Sequence, residues 1–397
     1  MRTTTAVLAL LAGGVSLASA QGSERVAAAV PVNGVVFVDR NGNGTRDAGE
    51  PGVAGVPVSD QVSVTATDGD GRFTLSANGY GYVFLTQPDG YAVRGSYWRR
   101  VDAGTEIAFP LAAVAALRSF TFVQASDTHI SEQNVERTRR LKALVDSLKP
   151  AFVIISGDLI RDALRVPEAE ARRYYELLSR ELATFSVPVY TVPGNHDIFG
   201  IERHLSLVSR TNPVYGKRLH RTVRGPNYYS FTFGGIHFMG LDTVDYDDLA
   251  YYGHVDSLQV AWMKQDIARL PAGMRIVTFN HIPLVTAAET IDGMRETEPA
   301  PTVIRLGGHA YFRHVVQNTE ELVEVLGDRL EIALGGHMHR REQLRYETAT
   351  GSYRFYQTAA VTLPVRGDGR LGLRSGITLY RVNDGHVDDG TFIPLER

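Results

Sequence analysis

From Phe120 onward the chain alternates two textures. Short, almost unbroken apolar runs predict buried strands: "FTFVQAS", "AFVIIS", "VPVYTVP", "YYSFTFGGIHFMGL", "MRIVTFN" and "LEIALGG". Between them, apolar residues recur at helical spacing over Val135 to Leu148, Glu168 to Leu182, Val255 to Leu270 and Thr319 to Leu326. Strands separated by helices of that length imply an α/β architecture built on a largely buried sheet. The tail, with "YRFYQTAAVTLP" and "SGITLYRV", predicts further antiparallel strands. Ahead of this region, from Val30 to about Ile107, the pattern changes to period two. "VNGVVFVDR", "VPVSDQVSVTATDGDGRFTL" and "YGYVFLTQPDGY" alternate apolar and polar residues between Gly, Asn and Asp turns, the pattern of a small all-β sandwich. "FPLAAVAALRS" joins the two textures, which puts a domain spanning 21–115 before a larger one spanning 116–397.

The first twenty residues follow neither pattern. Arg2 precedes an apolar run from Ala6 to Val15, and Ala18-Ser19-Ala20 forms a small-x-small cleavage site before Gln21. This predicts a cleaved export signal and a periplasmic or extracellular protein. The run is short for a membrane span, and no later segment qualifies. With no cysteine, no disulfide framework can form. The net charge of −3, without a run of one sign, argues against an extended nucleic-acid footprint. A local cationic site made by metal ions remains compatible with it.

The chemistry gathers where strands end. The first run ends in "SDTH" (Asp127, His129), the second in "SGD" (Asp158) and the third in "PGNHD" (Asn195, His196, Asp197). Later runs end in "NHIP" (Asn280, His281) and "GGHMH" (His337, His339). In open α/β sheets the crevice beyond the strand carboxyl ends is where sites form. Residues i and i+2 leaving a strand share a side, so Asp127/His129 and His337/His339 can each close on an ion. Imidazole and carboxylate without thiolate suit zinc, iron or manganese, and there are more ligands here than one ion needs. Taken singly, each motif has an ordinary explanation: a turn, a cap, or a hydrogen-bonded core histidine. Five such motifs in order at strand ends do not.

In that order, D-x-H, G-D, G-N-H-D, a distal H and G-H-x-H resemble the calcineurin-like metallophosphoesterase superfamily over roughly residues 120 to 340. The resemblance implies an αββα four-layer sandwich with two transition-metal ions, Mn, Fe or Zn, at the strand ends. Asp127, His129, Asp158 and His339 would hold the first ion. Asp158 would bridge to a second, completed by Asn195, His281 and His337, and His196 would be the catalytic histidine. It implies hydrolysis of phosphomono- or diesters by a metal-bridging hydroxide, on a small-molecule, lipid or nucleotide substrate. Some members orient the catalytic histidine with an acidic residue three positions after the G-D aspartate. Here that position holds Arg161, so Asp162 and Asp197 are both candidates. Arg161 also rules out the tyrosine ligand that purple acid phosphatases carry there.

"DRNGNGTRDAGE" in the first domain places Asp39, Asn41, Asn43, Thr45, Asp47 and Glu50 at the spacing of a calcium loop. It resembles the calcium loops of extracellular serine-aspartate-type β-sandwiches and is a candidate structural calcium site. The ion-free alternative is a Gly/Asn-rich hairpin loop. Two other functions stay open on the sequence: a non-catalytic surface or adhesion protein with a degenerate metal site, and a pyrophosphate-bond hydrolase using the same centre.

Overall fold

The structure, a computed structural model, describes residues 24–25, 28–102, 104, 106–247, 249–293, 301–306, 308–349, 351–362 and 373–395. The export signal predicted at 1–20 lies outside the described residues. The amino-terminal module is a sandwich of two four-stranded sheets. One runs in the order Arg72–Ala77, Val30–Val38, Ile107–Ala113, Tyr91–Val93; the other runs Val64–Ala66, Pro57–Ser59, Tyr82–Leu85, Trp98–Arg100. Strand Arg72–Ala77 alternates exposed and buried positions along its length. Phe73 and Leu75 thereby face a shared core with Val36, Val58, Val83 and Phe109.

The larger domain stacks two six-stranded sheets. In the first, Ser119–Ala125, Phe152–Ser156 and Val189–Val192 lie parallel, and Gly376–Asn383 pairs antiparallel with Ser119–Ala125. In the second, Ile236–Gly240, Arg275–Phe279, Leu330–Gly335 and Ser352–Gln357 form the parallel centre. Their near-continuous apolar sequences follow from burial on both faces. Successive residues of Phe152–Ser156 serve opposite layers. Val153 and Ile155 pack under helices Val135–Leu148 and Glu168–Leu182, while Phe152 and Ile154 face the other sheet. There Phe152 meets Phe231 and Phe238 edge-on, with centroids 5.5 and 5.1 Å away. Helices Ser257–Ile267 and Thr319–Leu326 pack on the second sheet. The first of these begins two residues later than its spacing predicts, because the Asp256 carboxylate accepts the amide of Gln259 and caps it. The layers are therefore α, β, β, α, as expected.

In the tail, Gly376–Asn383 meets the antiparallel prediction, whereas the first run departs from it. Ser352–Gln357 lies parallel to Leu330–Gly335 and antiparallel only to Glu342–Glu347. The residues that follow it, 358–362, form no strand and lead from the second sheet toward the first. On the way Val361 donates its amide to the Ser126 carbonyl, and the Thr362 hydroxyl donates to the Asp127 carbonyl at 3.0 Å. The hairpins Val244–Asp247/Ala250–Gly253 and Val303–Leu306/His309–Phe312 were not read from the sequence.

The two modules meet through a common interior rather than a linker. Phe84 of the first belongs to the cluster around Trp262 and Tyr228 of the second. Gln61 Nε2 donates to Asn227 Oδ1 and the Tyr228 carbonyl at 3.1 and 3.0 Å, and the Asp89 carboxylate accepts the amides of Gly234 and Gly235. Ahead of the sandwich, the buried Glu24 carboxylate pairs with Arg221 and accepts from the Tyr246 hydroxyl and the Lys217 amide. Removing one partner of a buried pair leaves the other charge uncompensated. Glu24→Ala is therefore expected to cost about 3 kcal/mol of stability, read as a lower urea midpoint. An unchanged midpoint would show that Arg221 finds other partners.

Candidate metal centre

The strand ends leave their sheets in an unusual backbone conformation. Asp127, His129, Asp158, His337 and His339 all have positive φ, at 53, 39, 49, 69 and 56°. They are five of the nine non-glycine residues in that region among the described residues. Left-handed backbone costs a side-chain-bearing residue roughly 1–2 kcal/mol, and such strain gathers where a fold holds groups for function. Close packing enforces the arrangement. A Cβ on Gly194 would lie 2.1 Å from Asp158 Oδ1, and one on Gly336 would lie 1.9 Å from Ser126 Oγ. Backbone bonds tie the ends together: His129 donates its amide to the Asp158 carbonyl at 2.9 Å, and the His196 amide donates to Asp158 Oδ1 at 2.8 Å.

All seven predicted ligands converge. Asp127, His129, Asp158 and His339 form one group and Asp158, His281 and His337 a second, each with its ligand atoms within 4.8 Å of one another. Asp158 belongs to both: its Oδ2 is 3.5 Å from His129 Nε2 and its Oδ1 is 3.3 Å from His281 Nε2. Asn195 Oδ1 joins the second group, 3.0 Å from His281 Nε2. His281 Nδ1 donates to the Ser156 carbonyl at 2.8 Å, leaving Nε2 as the atom turned inward. Asn280 stays outside and donates to the Ile282 carbonyl.

The donor set fits cations. His129 Nε2 is buried with no hydrogen-bond partner, which is costly unless something else satisfies it, and the buried Asp127 Oδ1 faces His339 Nε2 at 3.1 Å. Without ions, protons stand in their place. Burial pushes the His281 imidazole down, but the Asp158 charge and hydrogen bond outweigh it and lift its pKa to about 9. His339 is raised in the same way, burial being outweighed by Asp127. Burial also raises both aspartates, yet facing imidazoles hold Asp127 below, and Asp158 well below, the usual carboxylate range.

His196 stands beside this centre, its ring 4.7 Å from that of His129. Burial pushes its pKa down to about 3, partly opposed by Asp158. Its acidic neighbour is Asp162, with Oδ1 3.8 Å from His196 Nδ1 and the carboxylate held by Arg165 and the Leu164 amide. Asp197 has a different task. Its carboxylate accepts the amides of Leu159, Ile160 and Gly194 and so clamps two strand ends together. Among other residues near the motifs, Tyr251 packs its ring 6.0 Å from that of His337, and Arg313 lies 4.2 Å over Tyr251. His220 is buried against Tyr175, and His254 pairs with Asp245. Arg340 is buried and donates to the Met338 carbonyl. An aromatic-lined cavity of about 380 Å³ between the modules contains none of these residues.

In the Asp39–Glu50 loop, Asp39 accepts the amides of Gly42 and Gly44, and Glu50 accepts those of Arg40 and Asp47. Asn41 and Asn43 both donate to Asp47 Oδ2 at 2.7 Å. Arg94 stands 3.6 Å from Asp39. The loop thus closes on its own hydrogen bonds.

Comparison with known proteins places this geometry. Residues 120–341 match the model of the calcineurin-like phosphoesterase family, and residues 40–106 match the model of the N-terminal domain of calcineurin-like phosphoesterases. A 3′,5′-cyclic-nucleotide phosphodiesterase of a Nostoc species is 23% identical over 62% of this chain and 83% of that protein. A 3′,5′-cyclic adenosine monophosphate phosphodiesterase of Escherichia coli K12 is 21% identical over 60% of this chain and 75% of its own length. A serine/threonine-protein phosphatase of Pongo abelii is 28% identical over 41% of this chain, which spans about half, 49%, of that enzyme.

Because ligation must displace the His281 proton, apparent metal affinity is expected to rise from pH 6 to pH 9, by up to about tenfold per unit. In the metal-free chain that proton stabilises the fold below about 6.5, and the contribution is lost as pH climbs through about 9. Calorimetric metal titrations across this range check it, and affinity independent of pH would remove the proton-for-metal exchange.

Proposed function

Since the chain belongs to the calcineurin-like phosphoesterase family, we propose that it is an exported, dinuclear metal-dependent hydrolase of small phosphate esters, with diesters its main substrates. The observation that carries this reading is the convergence of seven ligand side chains on two adjoining positions, with the buried His129 Nε2 unsatisfied. Diesters are favoured because the two phosphodiesterase relatives align over 83% and 75% of their lengths, against 49% for the phosphatase.

Asp127, His129, Asp158 and His339 would hold one ion, and Asp158, Asn195, His281 and His337 the other. Two such ions supply Lewis-acid polarisation of the phosphoryl group and a water acidified to near neutrality. Asp158 keeps the two positions in fixed relation while binding the His196 amide. His196 contributes as a proton donor to the departing alkoxide. Burial keeps it neutral, opposed chiefly by Asp158, and an anionic ester bound beside it would favour the imidazolium, which can release its Nε2 proton.

Export by removal of residues 1–20, and a structural calcium in the Asp39–Glu50 loop, complete the reading. Native mass spectrometry of the exported protein is the direct test, paired with hydrolysis of bis-p-nitrophenyl phosphate and p-nitrophenyl phosphate. The expected result is a chain beginning at Gln21 that carries two transition ions and one calcium and turns over the diester faster. Two ions with preference for the monoester would make it a phosphatase. A chain that takes up no transition ion and cleaves neither ester would return the weight to a non-catalytic surface protein. His196→Ala should keep both ions and lower kcat by about 100-fold or more; loss of an ion would instead make His196 a ligand.

A further inference from the structure

Two imidazoles of the centre are fixed from behind by backbone carbonyls. His281 Nδ1 meets Ser156 O at 2.8 Å, and His129 Nδ1 meets Arg161 O at 3.4 Å. Both therefore turn Nε2 inward. His337 is mounted the other way round. Its Nδ1 faces the centre, 3.1 Å from His281 Nε2, and its Nε2 points outward to Nδ1 of His314 at 2.7 Å. The two rings lie 4.9 Å apart and 31° from parallel. Behind His314, its Nε2 is 3.8 Å from Glu289 Oε1, and the Thr302 hydroxyl donates to Glu289 Oε2 at 2.7 Å.

Resting on the dinuclear reading above, we propose that His314 is a positioning residue for the second metal, acting through His337, with Glu289 as its anchor. A neutral imidazole carries one proton. If the Nδ1 lone pair of His337 is to face a cation, the proton must sit on Nε2, and a buried N–H needs an acceptor. His314 Nδ1 is that acceptor, so its own proton sits on Nε2, directed to the Glu289 carboxylate. The polarity of the whole row is thereby set from Glu289 inward. An imidazole backed by a carboxylate also raises the basicity of His337 more than a peptide carbonyl would. The support acts at the second position, because His337, through which it is exerted, belongs to that group alone.

The test is competitive titration of the metal-free full chain with Zn²⁺ against a chromophoric chelator, resolving two dissociation constants. His314→Ala is expected to weaken one of them about 10–100-fold and leave the other within about threefold. His314→Asn, whose amide oxygen can take the place of Nδ1 as acceptor, should recover most of that loss. Glu289→Gln should weaken the same constant by less. Metal-free thermal transitions of all three are compared with the parent, so that the Asn and Gln variants carry the test if the Ala variant does not fold. Unchanged constants in His314→Ala, equal weakening of both, or an Asn variant no better than Ala would overturn the proposal while leaving the centre intact. A parent chain that takes up fewer than two ions would instead remove the dinuclear reading and the proposal with it, before any substitution is considered.

Discussion

Everything in the larger domain is arranged around one carboxylate. Asp158 alone belongs to both ligand groups, and its two oxygens are divided between His129 and His281 while Oδ1 also receives the His196 amide. A buried carboxylate with that many neighbours is stable only if cations or protonated imidazoles surround it. This explains why four histidines converge from three other strand ends. It also sets the tolerance of the site. Two candidate ligand groups sharing one carboxylate cannot drift apart without one of them losing it.

The two-sheet sandwich meets that demand by rigidity. Parallel strands buried on both faces end at one edge, and aromatic rings packed edge-on between the sheets fix the distance between those ends. Five of the seven candidate ligands then depart in left-handed backbone, which turns each of those side chains back toward the common point. The strain is local, while the packing that withstands it is spread through the core. Asp197 shows the same economy: its carboxylate joins amides of the second and third strand ends and so supports the ligands without being one.

The ligands were legible because strand endings and metal chemistry both leave short local signatures: a buried run, a glycine, then a polar pair. What was not legible depended on partners distant in sequence. Asp162 and Asp197 looked equivalent beside His196, and only folding showed that one faces the ring while the other is used up by backbone amides. The tail was read as antiparallel because "YRFYQ" carries no mark of its direction, which is set by the crossing from one sheet to the other at residues 358–362. His314 sits in "FRHVVQ", an unremarkable loop, and gains meaning only from His337, 23 residues later. The sandwich in the first module was plain from its period-two pattern, but its seat on Trp262 and Tyr228 was not, since Gln61 and Phe84 read as ordinary hairpin residues.

That seat has a consequence for ancestry. A domain joined by a tether can be exchanged by recombination, because its surface was already built to face water. Here Phe84 fills space inside its neighbour's core, and the carbonyls of Val62 and Val64 accept from Gln265 and Arg269. A foreign sandwich spliced at residue 115 would arrive without those complements. Exchanging either module alone would therefore strip the other of buried partners, so each constrains substitutions on the other's face.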